Sequence, residues 1–311
     1  MRRRAPSHVL RPLAYGCAVT LVLLLGLEAL ARVLPLRPDF VLHPTQGNCL
    51  QRSTLLGQEF RPNCRTMMTG KPLVTNELGM RDAPLDGDGR RRILAMGDSC
   101  TYGWAVDARE AYPNLLQGLL DAHGIGTRYR VINAGVPGYT SYHGVLYLRD
   151  RGLAFDPAIV IAGYGFNDIF RAGDVEEALR WQRIVLPALR LDDLLLDRSR
   201  LWQSLRSAML HPPPNDLPYR STAAQYKRNL EEIVRLAREH GAKPLLVSFW
   251  SPTAREQQHA AAVGEVSREL DVPVVVYRGP RLDVVHPTGE GYKQLASDIY
   301  DRLQEAAYLT P

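Results

Sequence analysis

The feature of this chain that most restricts its fold is a regular alternation of short apolar runs with amphipathic helical patterns, beginning near Arg92. The apolar runs have the length of buried strands. They are residues 92–96, 129–133, 158–162, 245–249 and 272–277. Helical periodicity separates or follows them over 111–122, 141–151, 222–240 and in a C-terminal helix with Tyr292, Leu295, Ile299 and Leu303 facing inward. Strands that alternate with helices predict an α/β fold, in which helices cover both faces of a parallel sheet and ligands bind at the carboxyl ends of its strands.

Two stretches depart from this alternation. Residues 35–89 are rich in proline, asparagine and glycine, show little periodicity, and are predicted to form a stalk and a cover segment. Residues 169–220 form a connection that is longer than is usual between a strand and the next helix, and they have amphipathic helical character. This insertion fits either a lid or acceptor-binding element, or a helical cap packed on the domain. The predicted organisation is a basic tail (1–12), an apolar helix (13–34), the cover segment, and a domain from residue 90 to 311.

The N-terminus predicts where the protein acts. Residues 13–34 are apolar apart from Glu28 and Arg32, and an arginine cluster precedes them. That length is enough to cross a bilayer as a helix, and the preceding basic residues would stay in the cytoplasm. A cleaved signal peptide is the alternative, because Ala29-Leu30-Ala31 is an acceptable cleavage site. We favour the membrane anchor, and both hypotheses place the rest of the chain in the periplasm, at the cell surface or, after cleavage, outside the cell.

Composition and charge exclude several classes of protein. Hydrophobic residues make up 45% and charged residues 23% of the 311 residues, which is globular usage and not that of a disordered chain. The formal net charge is +5, and the four arginines before the apolar stretch account for all but one unit of it. The only basic run in the predicted domain is Arg90–Arg92. We therefore expect no nucleic-acid partner.

The cysteines fit an extracytoplasmic location. Four are too few for a disulfide-framework protein. Cys49 and Cys64 lie 15 positions apart in the predicted cover segment, where they can oxidise together outside the cytosol. Two unpaired thiols are the alternative, and we favour the disulfide. Cys17 falls within the predicted membrane helix.

The first predicted strand ends in Gly97-Asp98-Ser99-Cys100-Thr101. Glycine allows a sharp turn there, so that the Ser99 hydroxyl would stand where the strand gives way to a helix. The sequence is not the Gly-x-Ser-x-Gly elbow of α/β-hydrolases, because Thr101 occupies the last glycine position. A turn with an Asx hydrogen bond is an equally good interpretation of this motif taken alone.

Two further strand ends carry candidate hydrogen-bond donors. Gly138 follows the second strand and could offer its backbone N–H to a ligand, although a turn glycine is the simpler interpretation. The third strand is followed by residues 163–168, which lack the last glycine of a dinucleotide-binding G-x-G-x-x-G motif. The side-chain amide of Asn167 could donate a hydrogen bond there.

The fourth element is Asp283-Val284-Val285-His286, just before the C-terminal helix. A turn with this spacing can bring the Asp283 carboxylate beside one ring nitrogen of His286 and leave the other nitrogen free to accept a proton. By itself, Asp-x-x-His is more often a surface or helix-start feature. Its position at a strand end, together with the other three motifs, favours a shared site.

Together these motifs resemble the four blocks of the SGNH (GDSL-type) hydrolase superfamily. The matching residues are Gly97-Asp98-Ser99, Gly138, Gly165-x-Asn167-Asp168 and Asp283-x-x-His286. The resemblance runs from about Arg91 to the C-terminus. The approach Asn76-Glu77-Leu78-Gly79-Met80-Arg81-Asp82 and the anchor are similar to the membrane-anchored bacterial branch. Cys100 departs from the leucine of the GDSL name, at a position that commonly varies.

The resemblance implies a fold and a set of roles. The fold would be a three-layer α/β/α, flavodoxin-like sandwich with a parallel sheet of about five strands. Ser99 would be the nucleophile, His286 the base and Asp283 its supporting carboxylate, without a cofactor. The oxyanion hole would comprise the Ser99 N–H, the Gly138 N–H and the Asn167 amide. The supporting residues would be Asp98, Gly165 and Asp168.

The predicted function is therefore an extracytoplasmic serine esterase, or an O-acyltransferase, that acts on an acyl (typically acetyl) ester of a carbohydrate or lipid. A non-catalytic domain that binds acylated glycans or assembles an envelope complex is the alternative. Cys100 as the nucleophile, and Asp98 with Asp168 as the paired carboxylates of a glycosidase, are less economical interpretations. The scattered histidines predict no metal site.

Overall fold

The structure is a computed structural model that describes residues 7–34, 49–85, 87, 89–209, 217–249 and 257–309. The chain divides into two compact units. Among the described residues, the smaller unit comprises those within 1–46 and 186–212, and the larger unit comprises those within 47–185 and 213–311.

The helices and strands are numbered here in chain order. The helices are α1 (Ser7–Val33), α2 (Ser99–Tyr102), α3 (Tyr112–Ala122), α4 (Ser141–Asp150), α5 (Val175–Arg198), α6 (Arg200–Ala208), α7 (Ala223–Glu239), α8 (Gln257–Glu269) and α9 (Gly289–Glu305). The strands are β1 (Leu50–Ser53), β2 (Gly57–Phe60), β3 (Arg65–Met68), β4 (Lys71–Val74), β5 (Arg91–Gly97), β6 (Tyr129–Gly135), β7 (Pro157–Gly163), β8 (Lys243–Ser248) and β9 (Val274–Val276).

The larger unit is built on a five-stranded parallel sheet of order β6-β5-β7-β8-β9. Its central strand β5 is buried from Ile93 to Gly97, which explains why the sequence shows a continuous apolar run there rather than an alternation. Leu94 and Met96 contribute to one hydrophobic core, and Ile93 and Ala95 to another. The predicted α/β fold is confirmed.

Helices cover both faces of this sheet. One core includes buried side chains from α4, α7 and α8, such as Leu148, Ile233 and Val263. The other includes side chains from α3 and α9, such as Leu116 and Ile299. Helix α8 was not predicted from the sequence, and β9 is shorter than the predicted strand over 272–277.

The cover segment is more regular than its sequence indicates. In its described part, 49–85, β1 pairs with β2 and β3 pairs with β4 as two antiparallel hairpins. Strands of four residues without strict alternation give little periodicity to detect. A disulfide joins Cys49, just before the first hairpin, to Cys64, just before the second.

In the smaller unit, α1 is an apolar helix whose described side chains are exposed along most of its length. Residues 11–33 are long and apolar enough to span a membrane, close to the predicted range of 13–34. Most of its large side chains are exposed, for example Leu23 and Leu25. The predicted insertion contains α5 and α6, in agreement with its amphipathic pattern.

Candidate active site

Ser99 lies at the sharp turn between β5 and α2. A side chain on Gly97 would overlap the Thr101 side chain and the Gly163 carbonyl, so glycine is required at this approach. Asp98 is the N-cap of α2, and its Oδ1 accepts a hydrogen bond from the Cys100 N–H at 2.9 Å. This cap orders the short helix that begins with Ser99, and it is the Asx hydrogen bond considered from the sequence.

The structure brings Ser99, His286 and Asp283 into one hydrogen-bonded chain. Ser99 Oγ lies 2.8 Å from His286 Nε2, and His286 Nδ1 lies 2.6 Å from Asp283 Oδ2. The 187 positions between the serine and the histidine are bridged because β5 and the loop before α9 meet at the same edge of the sheet. This geometry can transfer a proton from the hydroxyl to the imidazole.

Asp283 is held as an ionised acceptor. Its Oδ1 accepts the backbone N–H groups of Val285 at 2.9 Å and His286 at 2.8 Å. Burial opposes ionisation of this carboxyl, but the hydrogen bonds from His286 and Val285 outweigh burial and lower the Asp283 pKa below its ordinary value. The carboxylate can therefore orient the imidazole and stabilise its protonated form.

The three candidate oxyanion donors differ in their present hydrogen bonds. Among the described residues, the backbone N–H groups of Ser99 and Gly138 have no acceptor. Gly138 has a φ of +84°, a conformation that favours glycine. Asn167 Nδ2 instead donates to Asp98 Oδ2 at 3.1 Å and to the Tyr139 carbonyl at 3.0 Å, so both of its amide hydrogens are engaged.

Asn167 thereby connects the loops that carry the other candidates. One of its acceptors adjoins Ser99 in the chain and the other adjoins Gly138. Gly165, with a φ of +139°, begins the 3₁₀ turn Phe166–Ile169 that holds Asn167. Asn167, held in place by the turn at Gly165, therefore fixes the loop that carries Ser99 relative to the loop that carries Gly138.

Asp98 and Asp168 are buried carboxyl groups in hydrogen-bond networks. Burial raises the pKa of Asp98 to about 7, and the nearby Asp168 adds to that shift. Burial also raises the pKa of Asp168. Hydrogen bonds from the hydroxyl and the N–H of Ser141 act in the opposite direction, but burial has the larger effect. Both carboxyls support loops through these contacts.

Trp104 is a site residue that the sequence did not reveal. Its ring stacks on the His286 imidazole with centroids 5.1 Å apart and an interplanar angle of 17°. The Trp104 backbone N–H donates to the Tyr292 hydroxyl at 3.0 Å. An aromatic residue five positions after Ser99 carries no signal by itself, because the contact depends on a loop nearly two hundred residues away.

Arg81 also has a role at the site that the sequence did not predict, although the motif that contains it was noted. Its side chain is 1% exposed and donates to the carbonyls of Tyr102, Gly103, Val106 and Pro72. The guanidinium carbon also lies 4.5 Å from the centroid of the Tyr102 ring. Through these contacts the cover segment holds the end of α2, the helix that begins with Ser99.

Cys100 is poorly suited to act as a nucleophile. Its side chain is fully buried, and its Sγ lies 3.8 Å from the Val285 carbonyl. Burial raises the pKa of the Cys100 thiol well above its ordinary value, which disfavours the reactive thiolate. In the described part of the chain, no three His, Cys, Asp or Glu side chains are grouped in a way that could hold a metal ion.

A cavity of about 440 Å³ lies between the cover segment and the carboxyl end of β6. Its walls include Leu56, Phe60, Val136 and Phe155, and none of Ser99, Asp283 or His286 lines it. The hydrogen-bonded chain of Ser99, rather than this cavity, is therefore the centre of the candidate site.

Several solved structures are similar to this chain. The chain is 20% identical to a lipase/acylhydrolase from Enterococcus faecalis, with 70% of this chain and 96% of that chain covered and a TM-score of 0.47. It is 16% identical to the psychrotrophic esterase EstA from Pseudoalteromonas sp., with 70% of this chain and 100% of that chain covered and a TM-score of 0.48. No curated protein matches the chain significantly.

The family comparison covers the site directly. Residues 95–294 match the GDSL-like Lipase/Acylhydrolase family, a span that includes Ser99, Gly138, Asn167, Asp283 and His286. This span is well over half of the chain, and the hydrogen-bonded serine and histidine lie within it. The chain belongs to the GDSL-like lipase/acylhydrolase family and is a carboxylic ester hydrolase.

Proposed function

We propose that Ser99, His286 and Asp283 form the catalytic triad of an extracytoplasmic esterase that acts on O-acyl, typically O-acetyl, groups of a carbohydrate or lipid. The observation that carries the triad is the continuous chain of contacts, 2.8 Å from Ser99 Oγ to His286 Nε2 and 2.6 Å from His286 Nδ1 to Asp283 Oδ2. An unaided serine hydroxyl is a weak nucleophile, and an adjacent base activates it.

In the proposed reaction, Ser99 Oγ attacks the ester carbonyl while its proton passes to His286 Nε2. The tetrahedral intermediate collapses, His286 protonates the leaving alcohol, and the acyl group remains on Ser99. Water, deprotonated by His286, then releases the acid and restores the serine. Asp283 stays ionised throughout and balances the charge of the imidazolium, as its lowered pKa supports.

The negative charge on the carbonyl oxygen requires hydrogen-bond donors in place before the reaction. The Ser99 and Gly138 N–H groups supply two, since neither donates to another described residue. We propose that Asn167 supplies the third by turning one amide hydrogen from Asp98 towards the oxyanion. A protonated Asp98 can give up that hydrogen bond more readily than a carboxylate, and its pKa of about 7 makes both states accessible.

The proposed location rests on the N-terminal helix. A 23-residue apolar helix preceded by arginines fits a membrane anchor that leaves the rest of the chain outside the cytoplasm. This layout also supports assignment to the membrane-anchored bacterial branch of the family. The disulfide between Cys49 and Cys64 fits the same location, because disulfides persist in oxidising compartments.

The triad is compatible with two acceptors for the acyl group. Water gives hydrolysis, and a sugar hydroxyl gives transfer. A purely binding function would not require a base aligned on a serine hydroxyl, so the intact hydrogen-bonded chain argues against the non-catalytic alternative.

The experiment that tests this function follows acetyl release and acetyl transfer side by side, with purified full-length protein and acetylated oligosaccharides. We expect the wild type to turn over the acetyl ester and Ser99→Ala to have no activity above background. Cys100→Ala serves as the matched control for a change in the same turn and should retain activity. Turnover by Ser99→Ala at the wild-type rate would contradict the proposal.

A further inference from the structure

The charged pair in the apolar helix α1 has partners that membrane insertion alone does not explain. Arg32 Nε donates to Glu28 Oε1 at 2.7 Å within the helix. Glu28 also accepts hydrogen bonds from three groups at the start of α6: the Ser199 hydroxyl at 2.7 Å, the Arg200 N–H at 3.0 Å and the Leu201 N–H at 3.0 Å. Its carboxylate therefore occupies the N-terminus of another helix.

This contact satisfies a general requirement of helix ends. The first N–H groups of a helix have no partner within it, and they carry a partial positive charge that a carboxylate stabilises. The Ser199 hydroxyl makes the usual N-cap hydrogen bond and accepts the Trp202 N–H at 3.0 Å. Glu28 accepts the N–H groups of Arg200 and Leu201, which are the first two residues of α6. Arg32 extends the contact by donating to the Arg198 carbonyl at the end of α5, at 2.9 Å.

The segment that Glu28 holds is a compact helical hairpin, here called the elbow, formed by residues 186–209. Asp192 on α5 accepts hydrogen bonds from the Trp202 indole at 2.7 Å and from Arg206 at 3.1 Å. Gln203 donates to the Leu196 carbonyl at 2.6 Å. The elbow is thus held together by polar contacts and is a defined part of the smaller unit.

The elbow exposes apolar and basic side chains along both of its helices. Leu191 and Leu194 on α5 are 57% and 46% exposed, and Leu205 and Met209 at α6 are 41% and 59% exposed. Arg190 and Arg198 are exposed on the same hairpin. Exposed apolar side chains beside arginines are suited to the boundary between acyl chains and anionic headgroups. The hairpin that carries these side chains contacts α1, a helix that can span the bilayer, through Glu28.

We propose that the elbow is a membrane-surface element clamped to the N-terminal helix by Glu28, and that its occupant is a bilayer containing anionic phospholipid. The inference rests on the proposed anchor and deepens it. Removal of residues up to Ala31 would remove Glu28 and leave the start of α6 without its acceptor. The charged pair is thus a docking site that requires the helix to be retained, and the distal part of the insertion serves attachment rather than acting as a lid.

The first test uses full-length protein in vesicles of phosphatidylcholine and phosphatidylglycerol. The intact mass should include residues 1–31, and a mature chain that starts at Arg32 would overturn both the anchor and the clamp. Trypsin should then cut after Arg198 or Arg200 about fivefold faster in Glu28→Ala than in the wild type, because opening of the elbow becomes easier. Glu176→Ala, which breaks an exposed i,i+4 ion pair with Arg180, is the matched control.

Equal cleavage rates for Glu28→Ala and Glu176→Ala, in a protein that retains residues 1–31, would overturn the clamp while the anchor stands. The lipid contact is tested with a nitroxide on Leu205→Cys in a Cys17→Ala background. We expect oxygen to relax this label more strongly than a water-soluble nickel complex, and the reverse for a label on the exposed Lys293→Cys. A label at 205 with the aqueous profile of the label at 293 would overturn the membrane contact.

Discussion

The indole of Trp104 lies almost parallel to the imidazole of His286, with ring centroids 5.1 Å apart. The loop after α2 therefore positions the base as well as the nucleophile. Such a stack limits rotation of the imidazole and so keeps its Nε2 atom directed at the Ser99 hydroxyl. The contact links two of the family's sequence blocks through a residue outside both.

Replacement of Trp104 by alanine should lower kcat about tenfold, since an aromatic pair of this kind contributes on the order of 1 kcal/mol. Trp104→Phe should restore most of the loss because it keeps a flat ring. Steady-state kinetics on a soluble acetyl ester measures both variants. Trp181→Ala removes a 61%-exposed tryptophan and should leave kcat unchanged. An equal loss in Trp181→Ala would show that the stack on His286 has no special role.

Replacement of Asn167 by alanine should lower kcat by roughly a hundredfold, the usual effect of losing one oxyanion donor, with a smaller change in KM. Asn229→Ala is the control, because that residue also donates an amide hydrogen in this region, to Ser141 at 2.9 Å. A kcat for Asn167→Ala as high as that of Asn229→Ala would restrict Asn167 to holding the loops together.

The raised pKa of Asp98 predicts a specific pH dependence of stability. The native carboxyl keeps its proton up to about pH 7, whereas the unfolded one releases it near its ordinary value of 3.8. Between these values the native state binds more protons, so the free energy of unfolding should fall as pH rises, by at most about 1.4 kcal/mol per pH unit. Asp168 should add to this slope.

Urea unfolding at several pH values from 4 to 7 measures that slope. Asp98→Asn cannot titrate at this position and should show a shallower decline, with Asp150→Asn at an exposed ion pair as the control. Identical slopes for Asp98→Asn and the wild type would contradict the proposed protonation of Asp98 in the native state.

The disulfide of the cover segment should contribute about 3 kcal/mol to the free energy of unfolding, as expected for closing a loop of 15 residues. Cys49→Ser combined with Cys64→Ser should lose this amount in urea unfolding, and a reductant should produce the same loss in the wild type. Cys17→Ser, at an exposed thiol, should have no effect. If reductant leaves wild-type stability unchanged, the disulfide does not constrain the chain as proposed.

The sequence predicted those parts of the fold that repeat a periodic pattern. The apolar run of β5 and the inward face of α7 are examples, because burial on one or both sides dictates their composition. The motif residues Ser99, Asp283 and His286 could also be placed, since parallel strands present their carboxyl ends at one edge. What could not be predicted depends on distant partners.

Three features of the structure depend on such partners or on very short elements. The stack of Trp104 on His286 joins residues 182 positions apart, and only the folded loops bring them together. Arg81 belongs to the motif over 76–82, but nothing in that motif predicts that its side chain is buried against the carbonyls of Tyr102 and Val106. The four-residue strands of the cover segment, such as β1 and β2, are too short to produce a periodic signal.

In the proposed reaction, Ser99 is the group that accepts the acyl moiety. Treatment of the full-length protein with a fluorophosphonate probe, followed by peptide mass mapping, tests this in one measurement. We expect a single adduct on Ser99. It should form in the wild type and in Cys100→Ala, be absent from Ser99→Ala and form much more slowly in His286→Ala. Labelling that persists in Ser99→Ala, or an adduct on another residue of the wild type, would contradict the proposed reaction.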